Sequence, residues 1–457
     1  MHDVFMYIVA AINLISMLHL GFYIVGANLY DIRREGDAAK AKKQALKRSK
    51  PYSQPLMSVI VPAYNEEIGI VRTLDSLLAS DYPNTEVIVV DDGSKDQTGN
   101  VVKAYIKRLQ RPQTMGYLAR NGRSGQFTRR YLMTQPKPTP AITYVRQDNK
   151  GKGSALNNGI ANYAKGKLVM CLDADSQVRS DAITNMVAHF RDKSVVGAAA
   201  NVRVMGGNNW LSLLQRFEHM IGYRSKKFYS MTGTEFIVGG VASTYRRSTL
   251  KQVGLYDTDT MTEDIGLSLK VISKLGNRKK RIIYASDVVA MTGGVLTYRQ
   301  LIKQRYRWKM GMMQNLFKYR SLLLSTRARK YSVGMTFYRL PMSVLSELIL
   351  VLSPVVIGYV VYVSIVHHSF GILLGAYSTI TLYVLWNVWP DEYLSVKQKL
   401  RMSFFSLYMY GVFYAMDVVQ LLAVLKCLKN YKTIIHGSTH GTWTPPTRAT
   451  QPQQAAI

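Results

Sequence analysis

The chain has 457 residues, enough for two or three structural units, and its apolar residues are too unevenly spread for a single soluble domain. Lys and Arg total 59 against 28 Asp and Glu, a formal net charge of +31. The basic residues crowd Lys40 to Lys50, Lys303 to Arg329 and Lys397 to Arg401, beside apolar runs and without any nucleic-acid motif, which argues against nucleic acid and for membrane lipids as partner.

Phe5 to about Tyr30 is almost free of charge and long enough for a span of ~20 residues. Asp31-Ile32-Arg33-Arg34 and a lysine-rich stretch to Lys50 follow it. This order predicts an uncleaved transmembrane helix over residues 1–30, with the amino terminus outside and 31–56 as a basic cytosolic linker; a cleaved signal peptide is the competing reading. From Met57 to about Gly294, strand-like runs alternate with amphipathic stretches, which predicts an α/β domain with a mainly parallel sheet and helices on its faces. Met57–Pro62, Glu86–Val90, Ala141–Val145 and Lys167–Leu172 read as strands, and Asp181–Arg191 as a helix. Arg108 to Pro140 is polar and basic, with three prolines near its end, and reads as an exposed insertion. Cys171 and Cys427 are distant from each other in apolar contexts, so neither a disulfide framework nor a thiolate metal site is expected.

Beyond Gly294, residues 295–330 hold a basic, aromatic amphipathic stretch, Tyr298 to Tyr319, expected to lie in the membrane interface. Spanning segments are expected within 331–430, at about Leu340–Val366, Phe370–Trp389 and Met402–Cys427, with Trp386 and Trp389 as interface anchors. Three crossings would place the 431–457 tail outside, against the positive charge of Lys426, Lys429 and Lys432. Either one segment is re-entrant or the tail is external. Glu347 and Asp417 fall inside the apolar segments, where a charge faces a polar conduit or a buried partner.

Four short signatures stand in order between the apolar regions: Asp91-Asp92, Asp173-Ala174-Asp175, Thr262-Glu263-Asp264 and Gln304-Arg305-Tyr306-Arg307-Trp308. Each alone has an ordinary structural explanation; the ordered set points to sugar transfer at a membrane. The first two follow strand-like runs, where open α/β sheets carry ligand groups. Tyr64 suits stacking on a base, Glu66 accepts from a ribose hydroxyl, and Asp92 accepts from a base amide. Asp173 and Asp175, two apart, share a face on an extended backbone and suit a hard cation, Mg²⁺ or Mn²⁺. Asp264 is the candidate general base, with Glu263 orienting or repelling it. Gln304 and Trp308 share a helical face: Trp308 suits a sugar platform and Arg307 a diphosphate.

With these residues in place, the chain resembles the family 2 inverting glycosyltransferases of GT-A fold, in particular the membrane-embedded processive synthases of poly-N-acetylglucosamine, hyaluronan, chitin and cellulose. The resemblance covers about Met57 to Gly311 and includes Gly151-Lys152-Gly153-Ser154-Ala155-Leu156-Asn157-Asn158-Gly159. It implies a donor site of Pro62, Tyr64, Glu66, Asp92, Lys152, Asp173 and Arg307, metal at Asp175, and catalysis by Asp264 with Glu263. It places acceptor sugar on Gln304 and Trp308. Thr262-Glu263-Asp264-Ile265 looks closest to the poly-N-acetylglucosamine and cellulose branches, while Trp443 to Arg448 is loosely similar to a hyaluronan-synthase gating motif, Pro445 and Pro446 departing from it. The resemblance implies a UDP-sugar donor, UDP-N-acetylglucosamine favoured, and a growing polysaccharide acceptor. It also implies a multi-pass plasma-membrane protein with a cytosolic catalytic domain, and an accessory export subunit as a further partner. UDP-glucose, or UDP-glucuronate alternating with UDP-N-acetylglucosamine, is the alternative donor set; transfer of one sugar to a lipid and a non-catalytic scaffold are the remoter readings.

Overall fold

The computed structural model describes residues 2–47, 54–110, 140–205, 209–368 and 370–437. Trp443 and Arg448, and nearly all of the expected insertion, lie outside the described residues. Helix α1 (His2–Lys47) runs unbroken through the expected linker as far as Lys47.

The β-branched runs form the strands expected of them: β1 (Met57–Ala63), β2 (Thr85–Asp91), β3 (Ala141–Arg146) and β4 (Leu168–Cys171). They pair in parallel in the order β3-β2-β1-β4. Helices α2 (Ile70–Leu78), α3 (Thr98–Gln110) and α4 (Lys152–Asn158) connect them. The chain moves from β1 outward through β2 and β3, then returns to place β4 on the other side of β1. That reversal opens a crevice at the carboxyl ends of β1 and β4.

Four further strands complete an eight-stranded sheet: β5 (Gln177–Val178), β6 (Val195–Met205), β7 (Ser243–Arg246) and β8 (Arg281–Gly293). β7 runs antiparallel to β4 and β6, and β5 antiparallel to β8, so the sheet is mixed rather than mainly parallel. Helix α5 (Ala182–His189) occupies the expected stretch. It joins α2 and α3 over one face of the sheet, where Leu74, Val102 and Met186 are fully buried. The other face is covered by α4, α7 (Arg247–Val253) and α8 (Glu263–Leu275), with Leu156, Leu250 and Leu267 in its core. Two buried faces explain why the strands read as continuous apolar runs.

Helix α6 (Trp210–Met231) packs on α1, and α9 (Tyr298–Lys318) is the expected amphipathic helix. Beyond it lie α10 (Leu340–Val366), α11 (Gly371–Val388), α12 (Val396–Ser406), α13 (Met409–Lys429) and α14 (Tyr431–His436). Among the described residues, two helical stretches are long and apolar enough to cross a membrane, 334–366 and 409–429, and α11 supplies a shorter apolar run, Leu373–Val388. The segment expected as one span over Met402–Cys427 is two helices, broken at Leu407 and Tyr408.

Both ends of α13 return to helices that pack on the sheet domain. Met409 packs with Leu213 and Phe217 of α6, while Asn430 reaches the Tyr306 hydroxyl and the Thr433 carbonyl accepts from Gln314. Gly437 then abuts Asp259, where a Cβ would sit 2.9 Å from the Asp259 carbonyl oxygen.

Candidate active site

Pro62 is the first residue the fold reinterprets. It is buried in β1, and the carbonyl of Ile60, two residues earlier and on the same side, accepts from Leu172 just as β4 ends. The missing N–H of Pro62 therefore falls where pairing has stopped, which suits the place where the strands part. Past it, Tyr64 is half-buried and Asn65 takes a left-handed φ of 54°. Asn65 is held by reciprocal bonds, its amide to Ser94 Oγ (3.0 Å) and its Oδ1 from the Lys95 amide (2.8 Å). The Glu66 amide donates to Thr98 Oγ1 at 2.8 Å, so the loops after β1 and β2 are zipped together.

Asp92 was expected to meet a base. Its carboxylate is buried and accepts from Gln147 Nε2 (2.8 Å), the Lys150 amide (3.0 Å) and the Gly151 amide (2.8 Å). It shapes the loop that opens α4, where Gly151 at φ 89° turns the chain so that Lys152 enters the crevice. Asp91, beneath it, accepts from Tyr144 Oη and the Ser94 amide.

Lys152 Nζ lies 2.7 Å from Asp173 Oδ1 and 3.3 Å from Glu263 Oε1. Burial alone would lower its pKa, but Asp173, Glu263 and Asp264 outweigh that and hold it above its ordinary value. Gly240, between α6 and β7, faces the same point: a Cβ there would sit 2.8 Å from Lys152 Nζ and 3.7 Å from both Asp173 Oδ1 and Asp264 Oδ2. Thus residues from after β4, from α4 and from the start of α8 converge.

Asp264 is half-buried in the first turn of α8, with its Oδ1 accepting from the Ile265 amide at 2.8 Å. Burial, reinforced by Glu263, pushes its carboxyl up to about 6, against the pull of Lys152. Glu263 therefore acts on it by repulsion. A carboxylate poised near neutrality in a closed site suits a general base.

Asp173-Ala174-Asp175 forms a turn, closed by the Ser176 amide on the Asp173 carbonyl (2.9 Å), rather than the extended segment expected. Ala174 is buried while both carboxylates are half-exposed. Ser176 Oγ donates to Asp175 Oδ1 at 2.9 Å. At Gly69 this turn meets the β1 loop: a Cβ there would lie 3.2 Å from Glu66 Oε2 and 3.3 Å from Asp175 Cα. Among the described residues, no group of three His, Cys, Asp or Glu side chains is arranged to hold a metal ion. With Lys152 engaging Asp173, Asp175 is the carboxylate of this turn whose oxygens would suit a divalent cation, a hard ion that takes carboxylate together with phosphate oxygens.

Helix α9 carries the last signature. Arg305 is buried, donates to Glu218 Oε2 at 2.5 Å and lies 4.2 Å from the centre of the Trp308 ring. Arg307, expected to bind diphosphate, is half-buried and forms no ion pair among the described residues. Gln304 Oε1 is buried without a partner. Sequence reasoning missed two neighbours further along the helix. Asn315 Nδ2 lies within hydrogen-bonding distance of Thr260 Oγ1 (2.9 Å), the Thr262 carbonyl (3.0 Å) and the Gly311 carbonyl (2.8 Å), and Gln314 Oε1 accepts from the Met261 amide (2.9 Å). These bolt α9 to the loop that presents Glu263 and Asp264. The sequence did contain a signal, a glycine inside each helical pattern: a Cβ at Gly311 would sit 2.2 Å from Thr262 Oγ1, and one at Gly266 would sit 2.8 Å from Asn315 Oδ1.

A mixed sheet with carboxylates and a lysine gathered beyond β1 and β4, and a basic helix bolted over them, defines a glycosyltransferase of GT-A-like fold. The chain belongs to glycosyl transferase family group 2, whose model matches residues 168–416; the glycosyl transferase family 2 model matches 58–133. It is 27% identical over 444 residues to a poly-beta-1,6-N-acetyl-D-glucosamine synthase of Staphylococcus epidermidis, covering 93% of this chain and 95% of that protein. A synthase of the same description from Staphylococcus aureus is 30% identical over 259 residues, 56% of this chain and 54% of that one. Among solved structures, a mannosyltransferase of Pyrobaculum calidifontis in complex with GDP-Man and Mn²⁺ superposes with a TM-score of 0.51 at 20% identity, covering 90% of this chain and 99% of that one, a likeness of fold.

Proposed function

We propose that this protein is a processive, inverting synthase that polymerises a β-linked polysaccharide from a UDP-sugar, with UDP-N-acetylglucosamine the favoured donor, and passes the product through its own membrane helices. The observation that carries the chemistry is the convergence of Asp264, Lys152 and Asp173 on one point beside Gly240. Similarity along nearly the whole chain to the Staphylococcus epidermidis synthase supports the polymer and the sugar. The apolar helices support a multi-pass membrane location with the catalytic unit in the cytosol, where UDP-sugars are supplied.

In this reading Tyr64 and Glu66 bind the nucleoside, and Lys152 and Arg307 face its diphosphate. Asp264 takes the proton from the acceptor hydroxyl as that oxygen bonds to the anomeric carbon; the carbon–oxygen bond to UDP breaks on the opposite face, inverting the configuration. A bound Mg²⁺ or Mn²⁺, held by Asp175, would supply charge neutralisation on the leaving diphosphate. Trp308, its ring backed by Arg305, supports the acceptor sugar beside Gln304.

The test is UDP release by the reconstituted full-length protein with each UDP-sugar singly and in pairs, with product size read on a gel. A long polymer from UDP-N-acetylglucosamine alone is expected. A requirement for two donors would move the reading to a hyaluronan-type synthase, and only short product would end the claim of processivity.

A further inference from the structure

A second polar cavity, of about 50 Å³, lies apart from the carboxylate cluster, where the apolar runs of α1 and α11 end. Its walls come from three parts of the chain: Arg34 of α1, Arg203 of β6 with Arg224 and Lys227 of α6, and Asn387 with the 390–393 turn that follows α11. Arg34 pairs with Glu392, Arg203 with Asp391 (2.5 Å) and Lys227 with Asp31 (2.6 Å), while Arg224 reaches Asn28 (2.6 Å) and only distantly Asp31 (3.9 Å). Among the lining side chains the four cations thus face two carboxylates, Asp391 and Glu392, with Asp31 and Asp287 behind them, close to Lys227 and His189.

Two polar atoms in these walls have no partner. Asn387 is 2% exposed; its Nδ2 donates to the Tyr383 carbonyl, but its Oδ1 accepts nothing. The Nε of Arg203 is also buried and donates to nothing. A buried acceptor and a buried donor left open in one cavity whose lining is richer in cations than in carboxylates describe the complement of an anion that also carries a hydroxyl. Burial holds the pKa of Arg224 and of Lys227 below their ordinary values, in the direction an anion would reverse.

Position selects the source of that anion. Trp386 and Trp389 flank Asn387 in sequence at the end of α11 and stand half-exposed, and Val25 and Leu29 are exposed along α1, so the surface at this end of the two helices is aromatic and apolar, as at a bilayer headgroup level. We propose that this cavity binds the phosphodiester headgroup of an anionic glycerophospholipid. Its phosphate takes the Nε–H of Arg203 and the charge of Arg224, and a headgroup hydroxyl donates to Asn387 Oδ1. A lipid held there joins α1, the catalytic unit and the α11–α12 turn. The proposal does not depend on the transfer reaction, because its readout is lipid binding.

The experiment uses the full-length protein in phosphatidylcholine vesicles, with thermal unfolding followed as phosphatidylglycerol or inorganic phosphate is added. Phosphatidylglycerol should raise Tm by several degrees and free phosphate should not. Asn387→Leu, which leaves the charge unchanged, and Arg203→Gln should each lose most of that shift, while Lys397→Gln on exposed α12 should keep it. Native mass spectrometry of the wild type should retain one phosphatidylglycerol through delipidation. An equal shift in Asn387→Leu, or an equal loss in Lys397→Gln, would mean general attraction to a basic surface and overturn the site. A full shift with phosphate alone, or no retained lipid, would overturn the lipid assignment.

Discussion

In the crevice a single ammonium, Lys152, serves Asp173, Glu263 and Asp264, whereas in the helical layer around α9 two carboxylates each meet a cation at close range, Glu218 with Arg305 at 2.5 Å and Glu347 with Lys309 at 2.7 Å, and half-buried Asp417 feels Lys309 only at longer range. One-to-one pairs fix geometry and hold no proton in reserve. A shared cation leaves Asp264 under-compensated, and burial then brings its pKa to about 6. The same chain thus uses buried charge to position a helix in one place and to make a base in another. Glu347, for which a polar conduit and a buried pair were both open from sequence, is part of the pair.

The largest expected effect comes from removing the base. Asp264→Asn should lower turnover by about 10²–10⁴-fold, the ordinary range for a general base, with UDP-sugar binding retained. It should not lower Tm. A carboxyl raised above its unfolded value of 3.8 is favoured in its protonated form by folding, so its ionisation costs stability as pH rises from about 3.8 to about 6, and the neutral amide escapes that cost. Wild-type turnover should accordingly fall on the acid side as pH drops through about 6. Unchanged turnover in Asp264→Asn would remove the base from this site.

Next in size is Lys152→Met, which strips the shared cation. Because Lys152 holds the Asp264 carboxyl down, its loss should move the acid limb of the rate–pH profile above about 6, as well as lowering turnover and raising KM for the donor. A loss of turnover with an unshifted acid limb would show that Lys152 acts on the donor alone and does not tune the base.

These effects bear on what could be read before the fold was known. Val59 to Val61 and Val87 to Val90 are β-branched runs that stop at Pro62 and Asp91, so the strands and the crevice at their ends were legible. The second half of the sheet was not: β6 is rich in Ala and Gly, and β7 and β5 are too short for a period to show. Lys152 was legible as a donor contact but not as the partner of Glu263, since nothing local links α4 to the start of α8. Asp92 stood out by position after a strand, yet position does not reveal that the Gln147–Gly151 loop closes over it. The break at Leu407 and Tyr408 was hidden because no Pro or Gly marks it and apolar residues continue through it.

The bolt between the two regions should matter less than the cluster but more than any single pair in the helical layer. Asn315 is fully buried, and Asn315→Ala removes the bonds from its Nδ2 to Thr260 Oγ1 and to the Thr262 carbonyl, which keeps the Gly266 amide as donor, a cost of about 0.5–1.5 kcal/mol. Turnover should fall by roughly tenfold, equivalent to ~1.4 kcal/mol, because the loop presenting Asp264 loses its anchor on α9. Thermal unfolding and turnover measured together check this. A lowered Tm with full turnover would show that α9 supports the fold without positioning the base.

The smallest effect is expected from the Lys309–Glu347 pair, whose side chains are 17% and 20% exposed. Glu347→Gln leaves an ammonium with a weaker partner and should cost about 1 kcal/mol of stability, with turnover nearly unchanged. The double variant Lys309→Met with Glu347→Leu should recover most of that loss, since two apolar side chains of similar length replace a pair that has already surrendered its hydration. If Glu347→Gln instead abolished polymer formation while leaving UDP release intact, the carboxylate would be acting on the product's path, and the one-to-one pairing that sets the helical layer apart from the crevice would not describe its function.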